Sequence, residues 1–218
     1  MKKRINAKTL EKRKKRALQI AQELRKLFPD SRVFLRHKTS WELLVAIILS
    51  AQCTDKKVNE VTARLFKKYK KLDDYLSAKQ KVFERDIYET GFYRTKAKNI
   101  LSAAKIIKKD FGGKIPKTMD EMLTISGVGR KTANIALQNV HNVIVGIPVD
   151  THVKRLSRLL GLTYETDPNK IEQDLMEIFP KKEWASLSYR LIEYGRKHCP
   201  ARKHDHENCP LSRIELSL

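Results

Sequence analysis

Residues 123–137 read LTISGVGRKTANIAL, and the turn inside this stretch decides the fold. Two helical patterns meet across Gly127-Val128-Gly129. Glycines one residue apart permit a very tight turn, because glycine accepts positive φ and lets another backbone approach closely. Such a turn exposes unpaired amide N–H groups at the start of the next helix, where the helix dipole is positive. A phosphate oxygen suits that end, and Arg130 and Lys131 add cations beside it. Alone, a GxG pair describes any helix-turn-helix corner. GVGRKTA with a helix on each side is a much narrower pattern.

Outward from this hairpin nearly every segment reads as helix. Leu10, Ala17, Ala21, Leu24 and Phe28 recur at helical steps and stop at Pro29. Ser40 is positioned to cap WELLVAIILSAQ, apolar almost all round and therefore buried, with Cys53 at its end. Asp55 is positioned to cap a helix with Val58, Val61, Leu65 and Phe66 inward and lysines outward. Further helices are expected around Lys79 to Thr90 and from Arg94 to Phe111, each closed by glycine. Thr118-Met-Asp-Glu121 is a capping box, and Asp150 or Thr151 opens a helix that ends at Gly161. Asp167-Pro168 starts another, and the last covers Glu183 to Arg196. Val143-Ile144-Val145 is the only tempting strand, and it is short. The fold class is all-α.

Composition says what such a fold meets. The 218 residues carry 46 Lys+Arg against 25 Asp+Glu, a net charge of +21. That charge opposes compaction, and its usual reason is a polyanionic partner, nucleic acid above all. The hydrophobic fraction of 41% suffices for a core, and 7% aromatic residues make that core mostly aliphatic. Nine Lys/Arg and one Glu lie between Met1 and Arg16, either a solvated helix face or an arm resting on phosphates. Three widely spaced cysteines, Cys53, Cys199 and Cys209, make no disulfide framework. The amino-terminal charges are followed by no apolar stretch, and no run approaches the ~20 residues of a membrane span. The expectation is a cytoplasmic, nucleoid-associated monomer that binds double-stranded DNA and no membrane.

At this point the chain resembles the endonuclease III family of base-excision DNA glycosylases. GVGRKTA is similar to the family's helix-hairpin-helix motif. LSAQCTD (49–55), GFYRTKAKNI (91–100), VDTHVKRLSRLLGL (149–162) and EYGRKHC (193–199) resemble further family blocks, in family order. The resemblance spans about Leu10 to Cys209. It implies two all-α lobes with DNA bound across the cleft: a six-helix barrel carrying the hairpin (33–144), and a lobe formed by both chain ends (1–32 and 145–218). It implies a bifunctional glycosylase and abasic-site lyase for oxidised pyrimidines. A non-catalytic helix-hairpin-helix DNA binder and an adenine-type mismatch glycosylase are the alternatives.

The resemblance also assigns residues. Lys131 matches the catalytic lysine; by itself it reads as a solvated charge. Its neutral amine would attack C1′, expel the base and form an imine, and β-elimination would then break the 3′ phosphodiester. In the related adenine glycosylases this position is not lysine. Asp150 matches the catalytic aspartate; by itself it reads as a helix cap. The two readings are compatible, since a carboxylate near C1′ can stabilise charge on the sugar or accept a proton. Gln52 and Phe92 match residues that fill the gap left by an extruded nucleotide. Read locally, Gln52 closes an apolar helix and Phe92 packs in the core. Gly127, Val128, Gly129 and Arg130 form the expected phosphate-binding turn.

One departure is plain. Many family members hold a four-iron, four-sulfur cluster on cysteines spaced C-x6-C-x2-C-x5-C. The frame here reads Cys199, His206, Cys209 and Glu215. Such clusters want thiolates, so no cofactor is expected, and a remnant loop should be held by packing and hydrogen bonds. A zinc site from Cys199, His204 or His206, and Cys209 is the lesser alternative, because the spacing fits no common finger.

Overall fold

In the computed structural model, which describes residues 7–212 and 214, every regular element is helical. The helices are α1 (Ala7–Leu27), α2 (Ser40–Leu49), α3 (Asp55–Lys68), α4 (Leu72–Leu76), α5 (Gln80–Asp86), α6 (Tyr93–Asp110), α7 (Met119–Leu123), α8 (Arg130–His141), α9 (Thr151–Leu159), α10 (Pro168–Ile178) and α11 (Lys181–Lys197). Single 3₁₀ turns cover Tyr88–Thr90 and His206–Asn208. The chain divides into two compact units at Val33/Phe34 and at Val145/Gly146.

The central unit, Phe34–Val145, is organised around α2. Leu43 to Leu49 are all buried, so this helix is surrounded by α3, α6 and α8. Thr39, not Ser40, is its cap: the Thr39 hydroxyl accepts from the Glu42 N–H at 3.1 Å. The helix also stops sooner than its apolar run suggests. Ser50 turns its hydroxyl onto the Ile47 carbonyl at 2.8 Å, and residues 50–53 form a turn. Cys53 therefore lies half-buried in that turn rather than in the helix. Thr54, one residue ahead of Asp55, caps α3.

Aromatic content is low, yet four aromatic residues of this unit form one group. Tyr75 packs on Trp41, Tyr69 and Phe83 with ring centroids 5.2, 5.2 and 5.7 Å apart. Tyr75 comes from α4, whose five residues are too short to leave a periodic signature. The Thr118–Glu121 capping box forms as read, with both of its hydrogen bonds present. Val143 to Val145 form no strand: α8 ends on a left-handed Asn142, and the chain continues as irregular backbone.

The other unit joins α1 to α9, α10 and α11. Ala17, Ile20, Ala21 and Leu24 of α1 enter a core with Val153, Leu156, Leu175, Leu187 and Leu191. The basic amino-terminal stretch is partly structural. Arg13 is only 4% exposed; its Nε donates to the Leu162 carbonyl at 3.1 Å, and its Nη2 pairs with Asp174 at 3.1 Å. Residues 1–6 of that stretch lie outside the described residues. Among the described residues no helix is long and apolar enough to cross a membrane.

Gly195 explains one of the motifs. A Cβ there would stand 2.7 Å from His152 Nδ1 and 3.2 Å from Leu156 Cδ1, so α11 and α9 touch backbone to side chain at this point. Gly195→Ala gains about 1 kcal/mol of helix propensity but forces this contact apart at about 1–3 kcal/mol. A net loss of up to about 2 kcal/mol is the expected result in urea unfolding, and a higher midpoint would contradict the close packing.

Candidate functional site

The hairpin is built from three local constraints. Gly127 has φ +78°, and a Cβ there would lie 2.8 Å from the Cβ of Asn99 on α6, so both conformation and space require glycine. Val128 is buried beneath the turn, and Ser126 Oγ bonds Ser102 Oγ of α6 at 3.0 Å. The turn is thereby seated on α6. Gly129 is different: its φ is −92°, and a Cβ would meet nothing within 4 Å. Neither strain nor internal packing asks for glycine at this position. The backbone there is exposed, with open space where a Cβ would stand.

Gly129 caps α8 without any side-chain hydrogen bond, and the first turn of α8 contains no acidic residue. It contains Arg130 and Lys131 instead, both exposed. Cations at the positive end of a helix run against the dipole preference. Together with N–H groups that have no carbonyl four residues back, they form a place for an anion.

Gln52 and Phe92 share an unusual property. Both have left-handed backbone, φ 52° and 47°, which few residues other than glycine adopt. Gln52 is exposed at the tip of the α2–α3 turn. Phe92 caps α6 and is 64% exposed, so it is not the core residue that local pattern allows. A large apolar side chain held in solvent on left-handed backbone breaks two local preferences at one position.

What holds these two turns was not singled out by the sequence reading. Lys96 of α6 is 4% exposed, and its Nζ donates to the Leu49 carbonyl at 2.8 Å and the Thr90 carbonyl at 2.7 Å. Leu49 is the last residue of α2, where a helix leaves carbonyls unpaired. Thr90 precedes Gly91 and Phe92. One buried ammonium thus ties the stems of both turns. Burial pushes its pKa below the ordinary lysine range, against a smaller opposing pull from Cys53. The signal was present in the sequence: Lys96 falls on the same helical face as Ile100, Ala104 and Ile107.

In the other unit, Asp150 is the cap of α9. Its Oδ1 accepts from the Val153 N–H at 2.8 Å, which leaves Oδ2 unused by the cap. The Ser188 hydroxyl donates to the Pro148 carbonyl at 2.6 Å and fixes the approach to Asp150.

The same unit brings together Cys199, His204, His206 and Cys209, whose donor atoms all lie within 4.8 Å of one another. Glu215, the fourth position of the cluster frame, lies outside the described residues. Burial first, and then the neighbouring Cys199, push the Cys209 thiol above the ordinary range.

The lysine-rich α3 is less free than its sequence suggests. Lys57 pairs with Glu60 at 2.7 Å and Glu89 at 3.2 Å, Arg64 with Glu89, and Lys68 with Asp86 at 2.6 Å. These exposed pairs add little stability, but they answer several cations locally.

Comparison with known proteins identifies the family. The family model for the HhH-GPD superfamily base excision DNA repair protein matches residues 45–181. The endonuclease III of Synechocystis sp. is 45% identical over 202 residues, covering 93% of this chain and 92% of that protein. A solved structure of a non-covalent endonuclease III–DNA complex superposes with a TM-score of 0.87 at 40% identity, covering 92% of this chain and 94% of the other. A trapped endonuclease III–DNA covalent intermediate gives 0.85 at 40% identity, with 91% and 94% covered.

Two sets of variants test the reading of these turns. Gly127→Ala should lower stability, whereas Gly129→Ala should fold with an unchanged melting temperature and bind duplex DNA more weakly; equal effects of both on stability would refute the distinction. Lys96→Met leaves two carbonyls without their donor and should cost about 1–3 kcal/mol. Amide exchange should rise at residues 50–54 and 90–93 together, and a rise in only one of the two turns would show that the ammonium does not couple them.

Proposed function

The chain belongs to the HhH-GPD superfamily of base excision DNA repair proteins and, within it, to the endonuclease III family, and from that premise we propose that it removes oxidised pyrimidines from duplex DNA and cleaves the abasic site. The observation that carries the reading is the position of Lys131. It is an exposed primary amine at the second residue of α8, directly after a glycine turn suited to phosphate.

In this reading the backbone N–H groups after Gly129, with Arg130, hold a phosphate of the damaged strand. That grip fixes the register of the strand and leaves lesion recognition to other residues. Phe92 enters the stack where the damaged nucleotide has left, and Gln52 offers its amide to the orphaned partner base. Their left-handed backbone presents both side chains without waiting for DNA, which lowers the entropy lost on binding.

The neutral Lys131 amine attacks C1′. The C1′–N bond breaks, its electron pair leaves with the base, and the base takes up a proton. The nitrogen loses one proton, its lone pair forms the C1′=N bond as C1′–O4′ breaks, O4′ keeps that bond's electron pair and takes up a proton, and the opened sugar is left as a protonated imine. Removal of a C2′ proton then drives β-elimination, and the 3′ phosphate departs with the electron pair of the C3′–O bond. Asp150 offers Oδ2 to the positive charge that develops on the sugar. A side chain without a primary amine would stop at the abasic site.

We place the chain among members that carry no four-iron, four-sulfur cluster. Of the four frame positions only Cys199 and Cys209 are thiols, and the others are His206 and Glu215. No step above uses a metal.

Borohydride reduction during reaction with duplex DNA bearing thymine glycol should trap a covalent adduct with the unaltered chain and none with Lys131→Ala. No adduct in either would leave a phosphate-binding module without catalysis. Asp150→Asn should retain DNA binding and slow base release by about 10²–10⁴-fold. With a net charge of +21, log affinity should fall with log salt by about 0.9 for each phosphate neutralised, and a flat response would contradict phosphate tracking.

A further inference from the structure

The four side chains gathered beyond α11 have the shape of a site for one ion. Cys199 Sγ stands 3.6 Å from His206 Nδ1, and Cys209 Sγ stands 3.3 Å from His204 Nε2. A tetrahedral ion with bonds of about 2.3 Å to sulfur and about 2.0–2.1 Å to nitrogen separates neighbouring S and N ligands by about 3.5–3.6 Å. The two observed edges are close to that value. A four-iron cluster binds its ligands to separate corner irons, so those ligands stand further apart. Neither the donor types nor their spacing here fits such a cluster.

We propose that Cys199, His204, His206 and Cys209 bind a single tetrahedral divalent cation of the zinc class at the position where relatives carry a cluster. Three observations beyond proximity support the assignment. The first concerns proton placement. His204 Nδ1 lies 2.9 Å from the Arg202 carbonyl, which can only accept, so Nδ1 carries the ring proton. In the neutral ring Nε2 then holds the lone pair, and Nε2 is the atom turned toward Cys209. This is the outer hydrogen bond that metal-bound histidines ordinarily make.

The second concerns charge. Two thiolates and two neutral imidazoles around a divalent ion sum to zero, which suits the burial of Cys199 and Cys209. The Arg155 guanidinium of α9 donates to the Cys199 carbonyl and lies 3.6 Å from its sulfur, so a cation already faces the thiolate that binding would create. The Cys209 thiol now lies 3.1 Å from the His198 carbonyl. Metal binding releases that thiol proton to solvent.

The third concerns the backbone, which is set by turns of its own. Cys199 N–H donates to the Tyr194 carbonyl at 3.0 Å, and Cys209 N–H to the His206 carbonyl at 3.0 Å. Asp205 caps the intervening 3₁₀ turn through the Glu207 N–H at 3.1 Å. The spacing C-x4-H-x-H-x2-C matches no common finger because α11 and this turn, not a finger fold, bring the ligands together. The ion would fasten the carboxyl-terminal segment to α11 and α9.

The proposal is independent of the reaction above, and its readouts involve no DNA. The chain purified without chelator should contain about one zinc per chain by elemental analysis, with no labile sulfide. Stripped chain given one equivalent of Co²⁺ should show the ligand-field bands of tetrahedral cobalt and thiolate charge transfer. His204→Ala and His206→Ala, outside every α-helix, should keep the far-ultraviolet spectrum of the parent and weaken cobalt binding by at least about tenfold each. Iron and sulfide near four per chain, a Cys199–Cys209 disulfide in the purified chain, or no tetrahedral cobalt spectrum would overturn it. Cobalt bands unaltered by His204→Ala would overturn the ligand set.

Discussion

A single buried ammonium fixes two exposed turns of the central unit. Lys96 is held by the carbonyls of Leu49 and Thr90, and the turns that follow those residues carry Gln52 and Phe92. The Leu49 carbonyl lies at the negative end of α2 and has no partner within that helix, so it is a ready acceptor for a cation. Taking an ammonium out of water is unfavourable, and the lowered lysine pKa records that opposition. The two hydrogen bonds offset it while committing two strained turns to one arrangement. Strain of this kind persists only where the surroundings over-determine it. Lys96 is such a surrounding, since it bonds the stems of both turns.

The hairpin and α9 follow a related logic with different parts. At Gly127 the glycine answers an internal requirement, the contact with Asn99, whereas at Gly129 a Cβ would meet only open space. Asp150 serves its own helix through one oxygen and has the other to spare. Structural and functional readings of the same residue therefore coexist at Asp150 and separate at the two glycines. In the carboxyl-terminal segment two thiols and two imidazoles lie with their donor atoms within 4.8 Å of one another.

Sequence-level reasoning succeeded where the physics is local. Helix periodicity, the Thr118 capping box, the Asp167-Pro168 start and the glycine turn are legible because each depends on residues within a few positions. It failed by a residue at Thr39 and Thr54, where neighbouring residues of similar capping ability compete. It missed α4, which has too few residues for a period. It took Cys53 into α2, although Ser50 ends that helix by turning onto its own backbone. It counted Arg13 among free charges, because nothing local announces that Leu162 and Asp174 lie across from it.

By itself, the sequence determined the all-α class, the phosphate-ready turn ahead of Lys131 and the family whose blocks surround it, since these are written in short-range patterns. The tertiary structure alone decided which lysine is buried, which of the two glycines is closely packed and which is open, and that His204 joins His206, Cys199 and Cys209. Those outcomes depend on contacts between residues far apart in the chain, such as Lys96 with Leu49 and Gly127 with Asn99. A one-dimensional pattern carries the preferences of each segment, but burial and hydrogen-bond partners exist only after the segments have packed.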